Sequence, residues 1–217
     1  MLGEPFSFSA GEEDGESRVS ALRLWQDFTR RSADQVTALR SSFNFGIDAF
    51  GSTVNDDDLP DSEFVTWLGQ VQFVRSLQEG SGQLLVRADI QIANDSLLPL
   101  ERFALGGASS VRGYRKNQLV RDEALFASAE YRYTFYNSPE FGVWQVAPFL
   151  DFGIGRNRDS DDDSSDTLLS VGAGLLWNKS RYTAELYLGG AIEDVPESTD
   201  TNLQDEGIHF RFSTRLF

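Results

Sequence analysis

The side chains with a chemistry of their own in this chain are charged groups set among glycines. Val111-Arg112-Gly113-Tyr114 puts a guanidinium in a Gly- and Ser-rich stretch, with Gly106, Gly107, Ser109 and Ser110 just ahead of it. A guanidinium is permanently charged and presents its donors as a rigid fork, so it suits two-point binding of a carboxylate rather than proton transfer. Glycines there cost backbone entropy on folding, so either a tertiary partner holds the segment or it is an exposed turn with a solvated arginine. Other candidates carry less. Asp159-Ser160-Asp161-Asp162-Asp163 starts like a calcium loop, but Ser164 replaces the glycine and Ser170 the closing glutamate of that register. With Asn55-Asp56-Asp57-Asp58 it reads as a solvated acidic loop. His209 is the single histidine, no nucleophile–His–acid arrangement surrounds it, and Gly172-Ala173-Gly174 is a strand pair rather than a phosphate loop. No catalytic residue, metal site or cofactor is expected.

The elements that must position Arg112 read as β-strands. In 124–136 Leu125, Ala127, Ala129, Tyr131, Tyr133 and Phe135 alternate with Ser128, Glu130, Arg132 and Thr134. In 143–156 Trp144, Val146, Pro148, Leu150, Phe152 and Ile154 oppose Gln145, Asp151, Gly153 and Gly155. A period of two puts these sets on opposite faces, with Asp151 on the polar one. The same alternation recurs in 18–31, 36–48, 65–77, 84–92, 167–177, 181–192 and 207–217, and a further short strand near 4–10 is possible. That gives roughly nine or ten strands, each close to the length a tilted membrane strand needs. Short turns at 31–34, 79–82, 137–140 and 178–180 alternate with longer connections at 49–62, 94–123, 157–166 and 193–206. This asymmetry suits a transmembrane β-barrel, as do Trp67, Tyr133, Phe135, Trp144, Trp177 and Tyr182 near the ends of apolar faces. A soluble β-sandwich would alternate too.

Composition bounds the rest. Lys and Arg number 19 against 34 Asp and Glu, a net charge of −15, which argues against nucleic acid as a partner. Cysteine is absent, so disulfides and thiolate metal sites are excluded. No apolar run suits a membrane helix, which says nothing against a barrel whose faces alternate.

Phe103-Ala-Leu-Gly-Gly-Ala-Ser-Ser-Val-Arg-Gly-Tyr-Arg-Lys-Asn-Gln118, followed by Glu130-Tyr131-Arg132-Tyr133, resembles the signature loop of the Omp85/TpsB superfamily. The wording is closest to its two-partner secretion branch, the haemolysin-activator and filamentous-haemagglutinin-secretion type. A second motif of that family, F-x-D-x-G, stands at Phe149-Leu150-Asp151-Phe152-Gly153. The resemblance implies that residues 94–123 fold back into the barrel lumen, where Arg112 pairs with Asp151 while Gly113 and Gly153 allow close approach. Asp205-Glu206-Gly207 with Phe210, Phe212 and terminal Phe217 resembles the signal read by the outer-membrane assembly machinery.

The expected fold is therefore all-β: residues 1–217 as the C-terminal portion of a larger antiparallel transmembrane barrel. The expected function is a protein-translocating pore in the outer membrane of a Gram-negative bacterium, surrounded by lipid and exporting a secreted exoprotein of haemolysin or adhesin type. An assembly factor or surface antigen of the same superfamily, or a plain porin-like barrel, is the alternative. Met1–Pro5 has neither a basic nor an apolar leader region, so the chain reads as a fragment. By the same resemblance a signal peptide, periplasmic POTRA domains and earlier strands lie outside it, and the fragment alone is not expected to conduct.

Overall fold

A computed structural model of the chain describes residues 16–55, 59–77, 81–158, 165–193 and 206–215. The two-residue alternation builds nine long strands: β1 (Ala21–Arg31), β2 (Gln35–Gly46), β3 (Val65–Leu77), β4 (Gly82–Ala93), β7 (Glu123–Ser138), β8 (Gly142–Arg156), β9 (Asp166–Lys179), β10 (Tyr182–Ala191) and β11 (Ile208–Thr214). They form one sheet in the order β1-β2-β3-β4-β7-β8-β9-β10-β11, each strand antiparallel to its neighbours. Every element among the described residues is a strand. The nine match the expected all-β antiparallel architecture, while the possible strand near 4–10 lies outside the described residues. The strand ends joined by the four short turns lie at one rim and those joined by the four long connections at the other, as the sequence implied.

Two features differ from the simple alternation. The connection after β4 is not irregular throughout: β5 (Phe103–Leu105) pairs with β6 (Leu119–Arg121) as a small separate hairpin. Phe103 and Leu105, at alternate positions of β5, give this hairpin apolar groups to bury. On β7 the register slips between Thr134 and Tyr136, so the even spacing of Tyr131, Tyr133 and Phe135 does not continue. Phe135 and Tyr136, beside this irregularity, are both exposed near the turn into β8.

Register partners show which side chains share a face. Asp27, Arg40, Gln70, Asp89, Phe126, Gly153 and Leu168 lie in one transverse row from β1 to β9. The other face exposes Leu22, Leu24, Phe28, Val71, Val86, Leu150, Val171, Leu175 and Phe210. In water so large an apolar surface would demand a partner, whereas hydrocarbon is a solvent that suits it. Tyr133, Trp144, Trp177, Tyr182 and Phe212 gather toward the short-turn rim, with Trp144 and Trp177 at 6.1 Å and Tyr182 stacked on Phe212 at 6.3 Å. Trp67 stands near the opposite rim and donates its indole N–H to Ser41 Oγ at 2.9 Å.

The principal buried cluster is on the polar face. Leu105, Val111, Tyr114, Leu119, Ala124, Phe126 and Leu168 are packed together with Phe103, joining the 94–123 segment to β7 and β9. This segment leaves β4 and returns as β7, the strand beside β4, having covered the inner wall on the way.

Candidate functional site

The local fold of the loop explains how Arg112 is aimed. Gly106 and Gly107 take φ of 105° and 89°, values that favour glycine, and Gly107 N–H donates to the Tyr114 carbonyl at 2.9 Å. Ser110 Oγ accepts from Gly106 N–H at 2.8 Å, closing the turn from the other side. Val111 and Tyr114 are buried in the cluster just described, so the guanidinium of Arg112 between them is carried onto the wall.

There it meets Asp151. Nε donates to Asp151 Oδ2 at 2.8 Å and Nη2 to Oδ1 at 2.9 Å, a two-point fork, and the Arg112 backbone N–H donates to Oδ2 at 3.1 Å. Asp151 is 0% exposed and Arg112 7%. Ser128 Oγ, on the register partner of Asp151, donates to Oδ1 at 2.6 Å and is 3.2 Å from Arg112 Nη2. Arg112 Nη1 is also bonded to Glu130, which accepts from Arg132 Nε at 2.6 Å and Tyr187 Oη at 3.2 Å. The guanidinium carbon sits 3.6 Å from the Phe149 ring centroid and 4.9 Å from that of Tyr187. Burial alone would lower the Arg112 pKa, but the bonds and charge of Asp151, then of Glu130, outweigh it and hold the group above its ordinary value.

The spacing of the strand motif now has a physical reading. Phe149, Asp151 and Gly153 are alternate residues of β8 and share its inner face. Phe149 underlies the cation, Asp151 receives the fork, and Gly153 leaves room for the loop. A Cβ at Gly153 would come 2.9 Å from Val111 Cγ2, and one at Gly113 would come 2.5 Å from Ser170 Cβ and 2.9 Å from Ala191 N. Tyr114 Oη reaches the carbonyls of Leu169 at 3.0 Å and Glu193 at 2.9 Å, so the tip touches the β9–β10 end of the wall as well.

Several participants lay outside the residues expected from sequence. Glu130, placed by sequence only among the polar residues of its strand, is 6% exposed and shares Arg112 with Asp151. Its phase on β7 signalled the correct face, but nothing in the sequence signalled the partner. Asp122, fully buried at the loop base, accepts from Leu97 N–H at 3.1 Å and Arg158 N–H at 3.0 Å and pairs with Arg102 at 3.0 Å. His209 Nε2 lies 2.8 Å from the Arg112 carbonyl oxygen. Of the terminal pattern, Gly207 adopts φ 66°, and Phe210 and Phe212 are exposed on the outer face of β11. Phe217 and the acidic run 159–163 lie outside the described residues.

The arrangement holds the loop against the wall through a buried ion pair. The model of the haemolysin secretion/activation protein family ShlB/FhaC/HecB matches residues 14–176. The outer membrane transporter CdiB of Escherichia coli O6:K15:H31, strain 536, is 27% identical over 165 residues, 74% of this chain and 28% of the relative. The outer membrane protein assembly factor BamA of Nitratidesulfovibrio vulgaris is 25% identical over 185 residues, 76% of this chain and 22% of the relative. The solved structure of CdiB from Escherichia coli matches with a TM-score of 0.72 and 25% identity, over 82% of this chain and 33% of that one. CdiB from Acinetobacter baumannii, at 18% identity and a TM-score of 0.64 over 81% of this chain and 30% of that one, shares the fold. The chain thus spans less than a third of the length of these curated relatives. With three quarters of its length matched by the family model, the chain belongs to the haemolysin secretion/activation family ShlB/FhaC/HecB.

Proposed function

We propose that this chain is the C-terminal barrel region of an outer-membrane pore that exports a partner exoprotein by two-partner secretion. The loop 94–123 is the working part of that pore, and the pair Arg112–Asp151 is its anchor. The observation that carries this reading is the buried two-point fork from the loop to the wall, reinforced by Glu130 and by the Phe149 ring. A fixed arginine fork defines direction as well as distance, so it holds the loop in one pose. The polar row of Asp27, Arg40 and Gln70 on β1–β3 gives an extended polypeptide a wet surface beside the docked loop. In biogenesis the outward Phe210 and Phe212 of β11 serve, with Gly207 and Phe217, as the pattern read by the assembly machinery.

The family assignment favours secretion over the assembly of other barrels. The test is Arg112→Ala in the full-length protein, scored for exoprotein in the medium and for barrel in the outer membrane. Loss of secretion with normal insertion supports the proposal. Undiminished secretion refutes it.

A further inference from the structure

Arg112 is held at both of its ends, and the second end takes no part in the ion pair. Its carbonyl oxygen lies 2.8 Å from His209 Nε2 on β11. A carbonyl only accepts, so Nε2 carries the hydrogen and donates it. Two glycines box in the same oxygen: a Cβ on Gly189 would come within 2.9 Å of it, and one on Gly207 within 3.2 Å. Gly207 itself stands at φ 66°, and its carbonyl accepts from Gly189 N–H at 2.9 Å at the start of β11. The loop tip therefore meets the last two strands through backbone, where no side-chain motif announces it.

β11 is placed to need this contact. It is the shortest of the nine strands, paired with β10 from Leu188↔Ile208 to Tyr182↔Thr214. Its side chains from Phe210 to Thr214 are exposed. Segments with few buried contacts open first.

We infer that the docked loop fastens β11: His209 is a positioning residue that couples seating of the loop tip to pairing of β10 with β11. Coupling of this kind is reciprocal, so release of the loop loosens the β10–β11 seam and fraying of β11 releases the loop. The Arg112–Asp151 fork sets where the loop sits, and the Arg112 carbonyl passes that state to β11. It also orders assembly, since the loop tip acquires its full set of bonds only after β11 has paired. The inference stands on these contacts and does not depend on what the barrel transports.

Amide hydrogen exchange on the full-length protein in detergent micelles tests it, reading residues 106–114 and 208–214 with β2 and β3 as internal control. His209→Ala is expected to speed exchange about fivefold in both segments, the effect of one lost hydrogen bond, and to leave β2 and β3 unchanged. His209→Gln, whose amide is again a donor, restores at least part of the protection. Arg112→Ala, which leaves β11 untouched chemically, speeds exchange at 208–214 as well. If His209→Ala fails to assemble, the Arg112→Ala arm decides alone. Unchanged exchange at 208–214 in Arg112→Ala, or a His209→Ala effect confined to β11, overturns the coupling. Secretion is not read, so neither result bears on the transport proposal.

Discussion

Replacing Arg112 by lysine keeps the charge and removes the fork. The guanidinium reaches Asp151 through Nε and Nη2, touches Ser128 Oγ, binds Glu130 through Nη1 and lies 3.6 Å from the Phe149 centroid. A lysine ammonium is a single point on a flexible stem and cannot serve both carboxylates and the ring at once. Glu130 keeps Arg132 and Tyr187, so it is not left bare, and Asp151 keeps Ser128. Of the three charge-assisted bonds a single ammonium keeps one, so two are lost at about 1.5 kcal/mol each, the low end of the range, along with part of a desolvated cation–π contact. Together these come to about 3 kcal/mol on loop docking, a rise of about 150-fold in the undocked population. Arg115 and Lys116 lie exposed at the loop tip. Trypsin cleavage there, at low protease, follows the population of the open loop. Arg112→Lys in detergent-solubilised full-length protein should therefore be cut about two orders of magnitude faster than the parent. A rate within threefold of the parent would refute the argument that fork geometry, and not charge alone, holds the loop.

Gly113→Ala should undock the loop, because its Cβ would press on Ser170 Cβ and the Ala191 backbone, whereas Gly153→Ala meets only movable side-chain methyls and should cost about 1 kcal/mol. The same trypsin assay ranks the two, and equal effects would contradict the contact geometry. Glu130→Gln should weaken docking less than Asp151→Asn, since Glu130 takes one bond from Arg112 and Asp151 three, and comparative cleavage rates check the order. Tyr114→Phe removes the hydroxyl that reaches Leu169 and Glu193 and should cost about 1 kcal/mol of docking, read as roughly fivefold faster cleavage.

How much of this was legible beforehand depended on whether the signal ran along the chain or across it. The phase of β8 is set by strict alternation, so Asp151 could be assigned to the polar face from residues 143–156 alone. The glycines of the loop, and those facing it, were visible as residue types without visible partners. Glu130 was on the right face, yet its bond to Arg112 depends on register between β7 and β8, where it stands beside Phe149. His209 gave no side-chain motif to find, because it binds a backbone carbonyl 97 residues away in sequence. The β5–β6 hairpin was missed because three-residue strands give too short an alternation to separate from loop.

The central claim is that the loop is pinned by the Arg112–Asp151 pair. A double-mutant cycle of Arg112→Ala, Asp151→Ala and the double variant measures it directly, using exchange of the Gly107 and Tyr114 amides in the full-length protein. The account predicts strong non-additivity: each single change should release the loop, at about 3–5 kcal/mol for a buried pair broken on one side, and the second change should add little. Free-energy changes that simply add would contradict it.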